Sequence, residues 1–320
     1  MIQVLFTVDV EVWCESWTDL DREFPEAFRR YIYGPTASGQ YGLPFTLQML
    51  RDCGLRGVFF VEPLFAARFG VDPLSEIVGL IHGAGQEVQL HLHTEWVDEA
   101  RVPLLPPVSA KKQFLWMFSR AEQAALIEAA RQLICKAGAR TPNAFRAGNY
   151  GLGPDTWAAL NDAGIHLDSS LNSSNIDPAS GLAIEPVYTQ PFLRDGVVEV
   201  PVSVYRDGFG RLRNAQVTAC SFAEMERLLW GAAAAKWNSV VIVSHSFELL
   251  NAAKNRPDRI AVERFSKLCR FLDRHRDVFQ TQGFFEQAPP ARSDQPPPLA
   301  LPTHLAGLRL AEQVLRRLSF

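Results

Sequence analysis

Two short segments of this 320-residue chain carry acids and histidines at a spacing of two. One reads Thr-Val-Asp-Val-Glu and the other reads His-Leu-His-Thr-Glu. Because side chains two residues apart share one face of a strand, each segment presents its polar groups together. Nitrogen and oxygen donors of this kind suit a zinc-class divalent ion, and a cation would also relieve the repulsion between paired acids. At His91, His93 and Glu95 the spacing therefore favours a metal site over core histidines. For Asp9 and Glu11 the spacing fits a cation that relieves their repulsion or, equally, a strand end with solvated acids.

Two later segments add an arginine, a glycine-containing turn and a further histidine. In Phe-Arg-Ala-Gly-Asn-Tyr-Gly, Arg146 could orient a carboxylate, and the glycines would let backbone N–H groups approach a developing oxyanion. His245 follows the apolar run Val-Val-Ile-Val and is a candidate general acid, because the pKa of histidine lies near working pH. The alternatives are a surface arginine in an ordinary turn and a structural histidine.

Each of these segments follows a short apolar run that predicts a strand buried on both faces. We predict strands at 3–8, 57–61, 87–93, 144–147, 165–169, 198–204 and 239–245, with a weaker one at 278–281. We predict helices at 44–53, 73–82, 120–137, 154–163, 222–235 and 259–275. This alternation along residues 1–287 predicts an α/β fold of the barrel type, since β/α barrels commonly need about 250 residues and carry their sites at the carboxyl ends of the strands.

The remaining segments depart from the alternation. Residues 15–42 and 171–191 are predicted to be long loops that follow strands and lie at the functional end. The proline-rich stretch 288–302 predicts an extended linker, and an amphipathic helix is predicted over 303–320. Its apolar stripe could pack on the barrel, on a second subunit of a homo-oligomer or on a membrane surface, and packing on protein is favoured because three arginines are few for a membrane helix. The stripe comprises Leu305, Leu308, Ala311, Leu315 and Leu318.

Composition excludes several classes of protein. The formal net charge of −3 offers no basic surface for nucleic acid. With a mean hydropathy of −0.04 and no apolar run near eighteen residues, no transmembrane segment is expected. Five widely spaced cysteines without a C-x-x-C pair predict reduced thiols, and the N-terminal segment lacks the features of an export signal, so we predict a cytoplasmic protein.

Taken in order, the polar segments resemble the motifs of the polysaccharide deacetylase superfamily, the NodB-homology domain of carbohydrate esterase family four. The resemblance covers about residues 1–285. It implies a distorted (β/α)7 barrel that holds a divalent metal, zinc first, with cobalt, nickel, manganese or iron as alternatives. It also implies that Asp9 is the catalytic base and Glu11 a metal ligand, although many members have adjacent aspartates where this chain has Asp-Val-Glu.

Three further motifs of the family bear on the site. The second motif usually places two ligand histidines four residues apart. His91 matches the first of them, and Glu95 stands in place of the second. The resemblance therefore implies that either Glu95 or His93 completes the metal site. The third motif implies that Arg146 is the partner of the base. The oxyanion N–H would then belong to Asn149 or Tyr150.

The last motif, Val-Ser-His, implies that His245 protonates the leaving group, whereas the family's acidic-tryptophan fourth motif has no match. The implied reaction is hydrolysis of an N- or O-acetyl group on a sugar or glycan, as in surface polysaccharide biosynthesis. Trp96 and Tyr150 are among the aromatic residues that could stack on sugar rings. A glycoside hydrolase on a related barrel and a non-catalytic member that binds a glycan or partner protein are the alternatives.

Overall fold

The computed structural model describes residues 1–106, 111–183 and 185–318 of the chain, without the side chains of residues 317 and 318. The strands are β1 (Ile2–Val10), β2 (Pro35–Thr36), β3 (Gly39–Gln40), β4 (Val58–Val61), β5 (Glu87–Leu92), β6 (Ala144–Ala147), β7 (Leu167–Asp168), β8 (Phe192–Arg194), β9 (Val197–Glu199), β10 (Val204–Arg206), β11 (Leu212–Asn214), β12 (Ser239–His245), β13 (Phe279–Thr281) and β14 (Leu299–Ala300). The helices are α1 (Leu20–Phe28), α2 (Leu43–Asp52), α3 (Ala66–Phe69), α4 (Asp72–Gly83), α5 (Arg120–Lys136), α6 (Thr156–Asp162), α7 (Phe222–Ala234), α8 (Arg259–Arg274) and α9 (Thr303–Leu318).

The chain forms two compact units. The first contains residues 1–57, 203–282 and the segment from 297 onward, and the second contains residues 58–202 and 283–296. The predicted linker at 288–302 is therefore divided between them. Within it, the Gln295 side chain accepts hydrogen bonds from the backbone of Thr189 and Gln190, and β14 pairs with β10.

The core of the first unit is built around β1. This strand is parallel to both β12 and β13, and Val4, Phe6 and Val8 are buried because neighbouring elements cover both of its faces. The register places Asp9, near the end of β1, opposite His245 at the end of β12. Two polar residues that are 236 positions apart are thus brought together by strand pairing alone.

In the second unit, β4, β5, β6, β7 and β9 form a parallel sheet in that order, and β8 is antiparallel to β9. The register pairs His91 with Arg146 and Asp168 with Glu199. The polar residues of this unit therefore follow adjacent strands at the carboxyl edge of the sheet, where α/β proteins build their sites.

Two expectations about the elements were wrong. A single strand over 198–204 was predicted, but β9 and β10 are separate strands in different sheets, because Pro201 between them has no N–H to donate to a ladder. The segment 15–42 was expected to be a loop, yet it contains α1, a π-helix at Arg29–Tyr33 and the hairpin of β2 and β3. Buried Leu20, Phe24 and Ala27 lie at helical spacing in α1, but Pro25 obscures that pattern.

The C-terminal helix α9 is held by charge. Within the first unit, the buried Arg309 forms ion pairs with Asp207 at 2.9 Å and with Glu224 at 3.4 Å. Of the predicted apolar stripe, Leu305 is buried whereas Leu308 and Leu315 are 53% and 59% exposed; Ala311 is exposed too, and the side chain of Leu318 lies outside the described residues. The described part of the stripe beyond Leu305 is therefore exposed, because the buried face of α9 is the one that carries Arg309 to its acids. Packing of the stripe on a second subunit stays a prediction.

Replacement of Arg309 by methionine is expected to lower the free energy of unfolding by about 3–5 kcal/mol, since it leaves two carboxylates buried without their cation. Urea unfolding followed by tryptophan fluorescence measures the change. The matched control is Arg227→Met on the exposed side of α7, which should change stability by less than about 0.5 kcal/mol. Equal stabilities for the two variants would show that the ion pairs do not anchor α9.

Candidate active site

In the first unit, two acids and a histidine form one cluster. The His245 Nε2 atom lies 4.0 Å from Asp9 Oδ2 and 4.0 Å from Glu11 Oε1. Asp9 and Glu11 are 3% and 6% exposed, whereas the His245 side chain is 23% exposed. The two acids share a face at the end of β1, and their cluster with His245 has the donor types that could hold a metal ion.

A fourth residue, Glu248, orients the histidine. Its Oε1 lies 3.0 Å from His245 Nδ1, and it also accepts hydrogen bonds from the Oγ1 of Thr218 at 3.0 Å and from the side chains of Gln216 and Ser244. Sequence reasoning missed Glu248 and found no acidic partner for the histidine. Its signal was an acid three residues after the strand end, in the turn where the Glu248 N–H donates to the His245 carbonyl.

These contacts determine the charge of His245. Burial by itself lowers the pKa of the imidazole, but the hydrogen bond and negative charge of Glu248, with the charges of Glu11 and Asp9, outweigh burial and raise the pKa to about 9. The ring therefore carries its second proton at neutral pH, as a proton donor must.

In the second unit, His91 and His93 are each oriented through Nδ1. The Nδ1–H of His91 donates to the carbonyl of Arg146 at 2.7 Å, and His93 Nδ1 lies 3.3 Å from Glu95 Oε2. The two rings are nearly perpendicular, with their centroids 4.8 Å apart, and both side chains are buried. Such contacts fix a histidine tautomer and direct Nε2 toward a metal.

Glu95 does not share the strand face of His91 and His93, contrary to the alternation expected from sequence. The backbone of His93 is still extended, with φ −100° and ψ 111°, but a 3₁₀-helix begins at Thr94 and turns Glu95 away from the strand pattern. Its Oε1 accepts a hydrogen bond from Asn149 Nδ2 at 2.8 Å, so its carboxylate bridges His93 and Asn149.

The turn after β6 adopts an unusual backbone conformation. Asn149 and Tyr150 have φ values of 55° and 53°, a left-handed conformation that costs free energy in residues other than glycine and is common at functional sites. A Cβ atom on Gly148 would lie 2.5 Å from His93 Nδ1, so only glycine lets this turn approach the imidazole so closely.

Arg146 is fully buried, which excludes the surface arginine considered from sequence. Its Nε and Nη2 donate to the carbonyl and the Oγ of Ser169, at 2.9 and 3.0 Å, and its guanidinium lies 4.3 Å from the centre of the Phe60 ring. These contacts leave the group no freedom to swing. Trp96 is 1% exposed and packs edge-on against Phe65 and Phe69, so it belongs to the core rather than to a sugar-binding face.

Asp168 and Glu199, which are paired in the register of β7 with β9, form a buried carboxyl pair. Burial, and then the charge of Glu199, raise the pKa of Asp168 well above its ordinary value. Glu199 accepts from Trp157 Nε1 at 2.9 Å and from the Leu171 N–H at 3.0 Å, whereas Asp168 accepts from the Ser170 hydroxyl. The raised pKa favours the protonated form of Asp168, and the register of β7 with β9 holds the two carboxyl groups together.

No protein-family model and no curated protein matches the sequence. Among solved structures, a protein of Mycobacterium smegmatis, provisionally described as a polysaccharide deacetylase, matches 93% of this chain and 95% of its own, with a TM-score of 0.56 and 19% identity. The chain has the polysaccharide deacetylase fold. This finding confirms, at the level of fold, both the resemblance read from the motifs and the predicted distorted (β/α)7 barrel.

Two other structures are similar to the chain. The 4-α-glucanotransferase of Thermococcus litoralis matches 94% of this chain and 42% of its own, with a TM-score of 0.50 and 9% identity. A family 4 carbohydrate esterase of Streptomyces lividans matches 92% and 97%, with a TM-score of 0.44 and 15% identity. The similarity of fold to the Mycobacterium smegmatis protein extends across most of the chain. In the described part of that fold, no helix has the length and apolar character needed to span a membrane.

Proposed function

We propose that the chain is a metal-dependent hydrolase that removes N- or O-acetyl groups from a sugar or glycan. The cluster of Asp9, Glu11 and His245 at the carboxyl ends of β1 and β12 carries the proposal, because β/α proteins build their sites at the carboxyl ends of parallel strands. A buried pair of acids beside a protonated histidine provides a base and an acid within one cluster. The predicted cytoplasmic location stays a prediction, as does a homo-oligomer formed through α9.

The metal ligands that we propose are the ones that the resemblance implies, namely Glu11, His91 and either His93 or Glu95. The donor set fits the group: the imidazoles are buried, each is oriented through Nδ1, and a carboxylate balances part of the charge of the ion. Zinc is the first choice for these donors, followed by cobalt, nickel, manganese or iron. When bound, such an ion supplies Lewis-acid polarisation of a carbonyl oxygen and lowers the pKa of water.

The residues of the chain would divide the proton transfers between them. Asp9 would accept the proton of the attacking water, and His245, held by Glu248, would donate a proton to the leaving amine or alcohol. Arg146 would orient Asp9, as the resemblance implies, and its own position is fixed by Ser169. The left-handed turn at Asn149 and Tyr150 would aim a backbone N–H at the developing oxyanion.

Acetate release tests the proposal. Protein purified without chelators is analysed for bound metal and then assayed on acetylated mono- and oligosaccharides and on non-sugar acetamides. We expect about one divalent ion per chain and acetate release without new reducing ends. New reducing ends without acetate would support the alternative hypothesis of a glycoside hydrolase. A glucanotransferase is also among the structures of similar fold. Metal-free protein that binds glycans without hydrolysing them would support the non-catalytic reading.

A further inference from the structure

We propose that His93, rather than Glu95, joins His91 as a metal ligand. Glu95, held by Asn149, is then a positioning residue that fixes the His93 imidazole. The inference rests on the proposed metal site and decides between the two residues that the sequence leaves open. It concerns a departure of this chain, since Glu95 stands where the resemblance implies a ligand histidine.

The first argument comes from the backbone. The extended conformation of β5 continues through His93, so His91 and His93 stay on one face of the strand. The 3₁₀-helix from Thr94 to Glu99 breaks the period of two before Glu95 is reached. Glu95 therefore lies beside the imidazole of His93 instead of continuing the row that His91 begins.

The second argument comes from the hydrogen bonds of Glu95. Its Oε2 faces His93 Nδ1 at 3.3 Å, and its Oε1 accepts from Asn149 Nδ2 at 2.8 Å. Each oxygen of the Glu95 carboxylate is thus already engaged by a neighbouring side chain.

The third argument is chemical. A histidine ligand commonly donates its other ring N–H to a carboxylate or a carbonyl, which fixes the ring and makes the coordinating nitrogen more basic. Here His91 uses the Arg146 carbonyl and His93 uses the Glu95 carboxylate. Glutamine at position 95 could not accept hydrogen bonds from both His93 and Asn149, because only one of the two terminal atoms of its amide is an acceptor.

Metal affinity, measured by competition of Zn²⁺ and Co²⁺ with a chromophoric chelator, tests the assignment without any substrate. We expect Glu95→Gln to weaken binding about 10–100-fold while keeping one ion per chain and the visible spectrum of the Co²⁺ form. His93→Ala should weaken binding more and alter that spectrum, because it removes a ligand. The matched control is Glu99→Gln, the same change at the far end of the 3₁₀-helix, where Glu99 pairs with Lys111.

A second variant guards against misfolding of Glu95→Gln, which thermal unfolding would reveal. Asn149→Gly keeps the left-handed backbone and removes only the amide that holds Glu95 Oε1, so it should weaken binding by a smaller factor in the same direction. Wild-type affinity in His93→Ala, or a changed Co²⁺ spectrum in Glu95→Gln, would overturn the assignment and make Glu95 the ligand. If the wild-type chain binds no ion, the proposed function fails together with this inference. If metal binding follows the expected order but no acetate is released, only the proposed function fails.

Discussion

Replacement of His245 by asparagine is expected to lower kcat for acetate release by about 10²–10⁴-fold, the usual contribution of a general acid. The imidazole is placed for this role by the hydrogen bond from its Nδ1 to Glu248, and its raised pKa keeps the proton in place at neutral pH. Asparagine preserves a polar side chain but carries no transferable proton. Steady-state kinetics with the best acetylated substrate, together with metal analysis, measures the effect.

The control for this experiment is His82→Asn, which changes an exposed histidine at the end of α4 and should leave kcat unchanged. Bound metal should stay at the wild-type level in His245→Asn, because the proposed ligands are other residues. Loss of the ion in that variant would contradict the assignment and make His245 a ligand, a role open to it in the cluster with Asp9 and Glu11.

Removal of the ion is expected to have an effect of comparable or greater size. Chelation should lower acetate release by roughly 10³-fold or more, since a Lewis acid contributes several kcal/mol of charge stabilisation and each 1.4 kcal/mol is tenfold in rate. Zn²⁺ should restore the wild-type enzyme. It should not restore His91→Ala, which lacks an imidazole that the Arg146 carbonyl orients in the wild type.

The matched variant here is His166→Ala, an exposed histidine of the second unit, which should regain activity with Zn²⁺ like the wild type. Continued turnover after chelation, with metal analysis showing none bound, would rule out the metal-dependent mechanism. If that turnover released reducing sugar, Asp9 and Glu11 would become candidates for the acid and base of a glycoside hydrolase.

Much of the secondary structure could be predicted because it depends on local pattern. The bounds predicted for β6 and β12 agree with the structure, since each is an apolar run between polar or turn residues. The run at 198–204 looked equally continuous, but Pro201 breaks its ladder and the two halves pair with different partners. The buried face of α9 could not be predicted for another reason: Arg309 on that face pairs with Asp207, which lies about a hundred positions earlier in the chain.

The residues of the candidate site could also be predicted only where they depend on a local pattern. Alternation along β1 gave Asp9 and Glu11, and alternation along β5 gave His91 and His93, because those strands are regular up to these residues. It failed at Glu95, where the backbone changes to a 3₁₀-helix. Glu248 could not be assigned from sequence, because its carboxylate is placed by hydrogen bonds from Gln216 and Thr218, which are about thirty residues earlier in the chain.

The carboxyl pair of Asp168 and Glu199 alters the proton balance of folding. The formal charge of −3 treats every acid as ionised, whereas burial and the charge of Glu199 favour the protonated form of Asp168 in the native state. Because the folded pKa of Asp168 exceeds the unfolded one, its contribution is complete below about pH 4 and declines as pH rises toward the folded value. Unfolding at a pH between the unfolded and the folded pKa of Asp168 therefore releases a proton, and calorimetric enthalpies measured there will include the ionisation heat of the buffer.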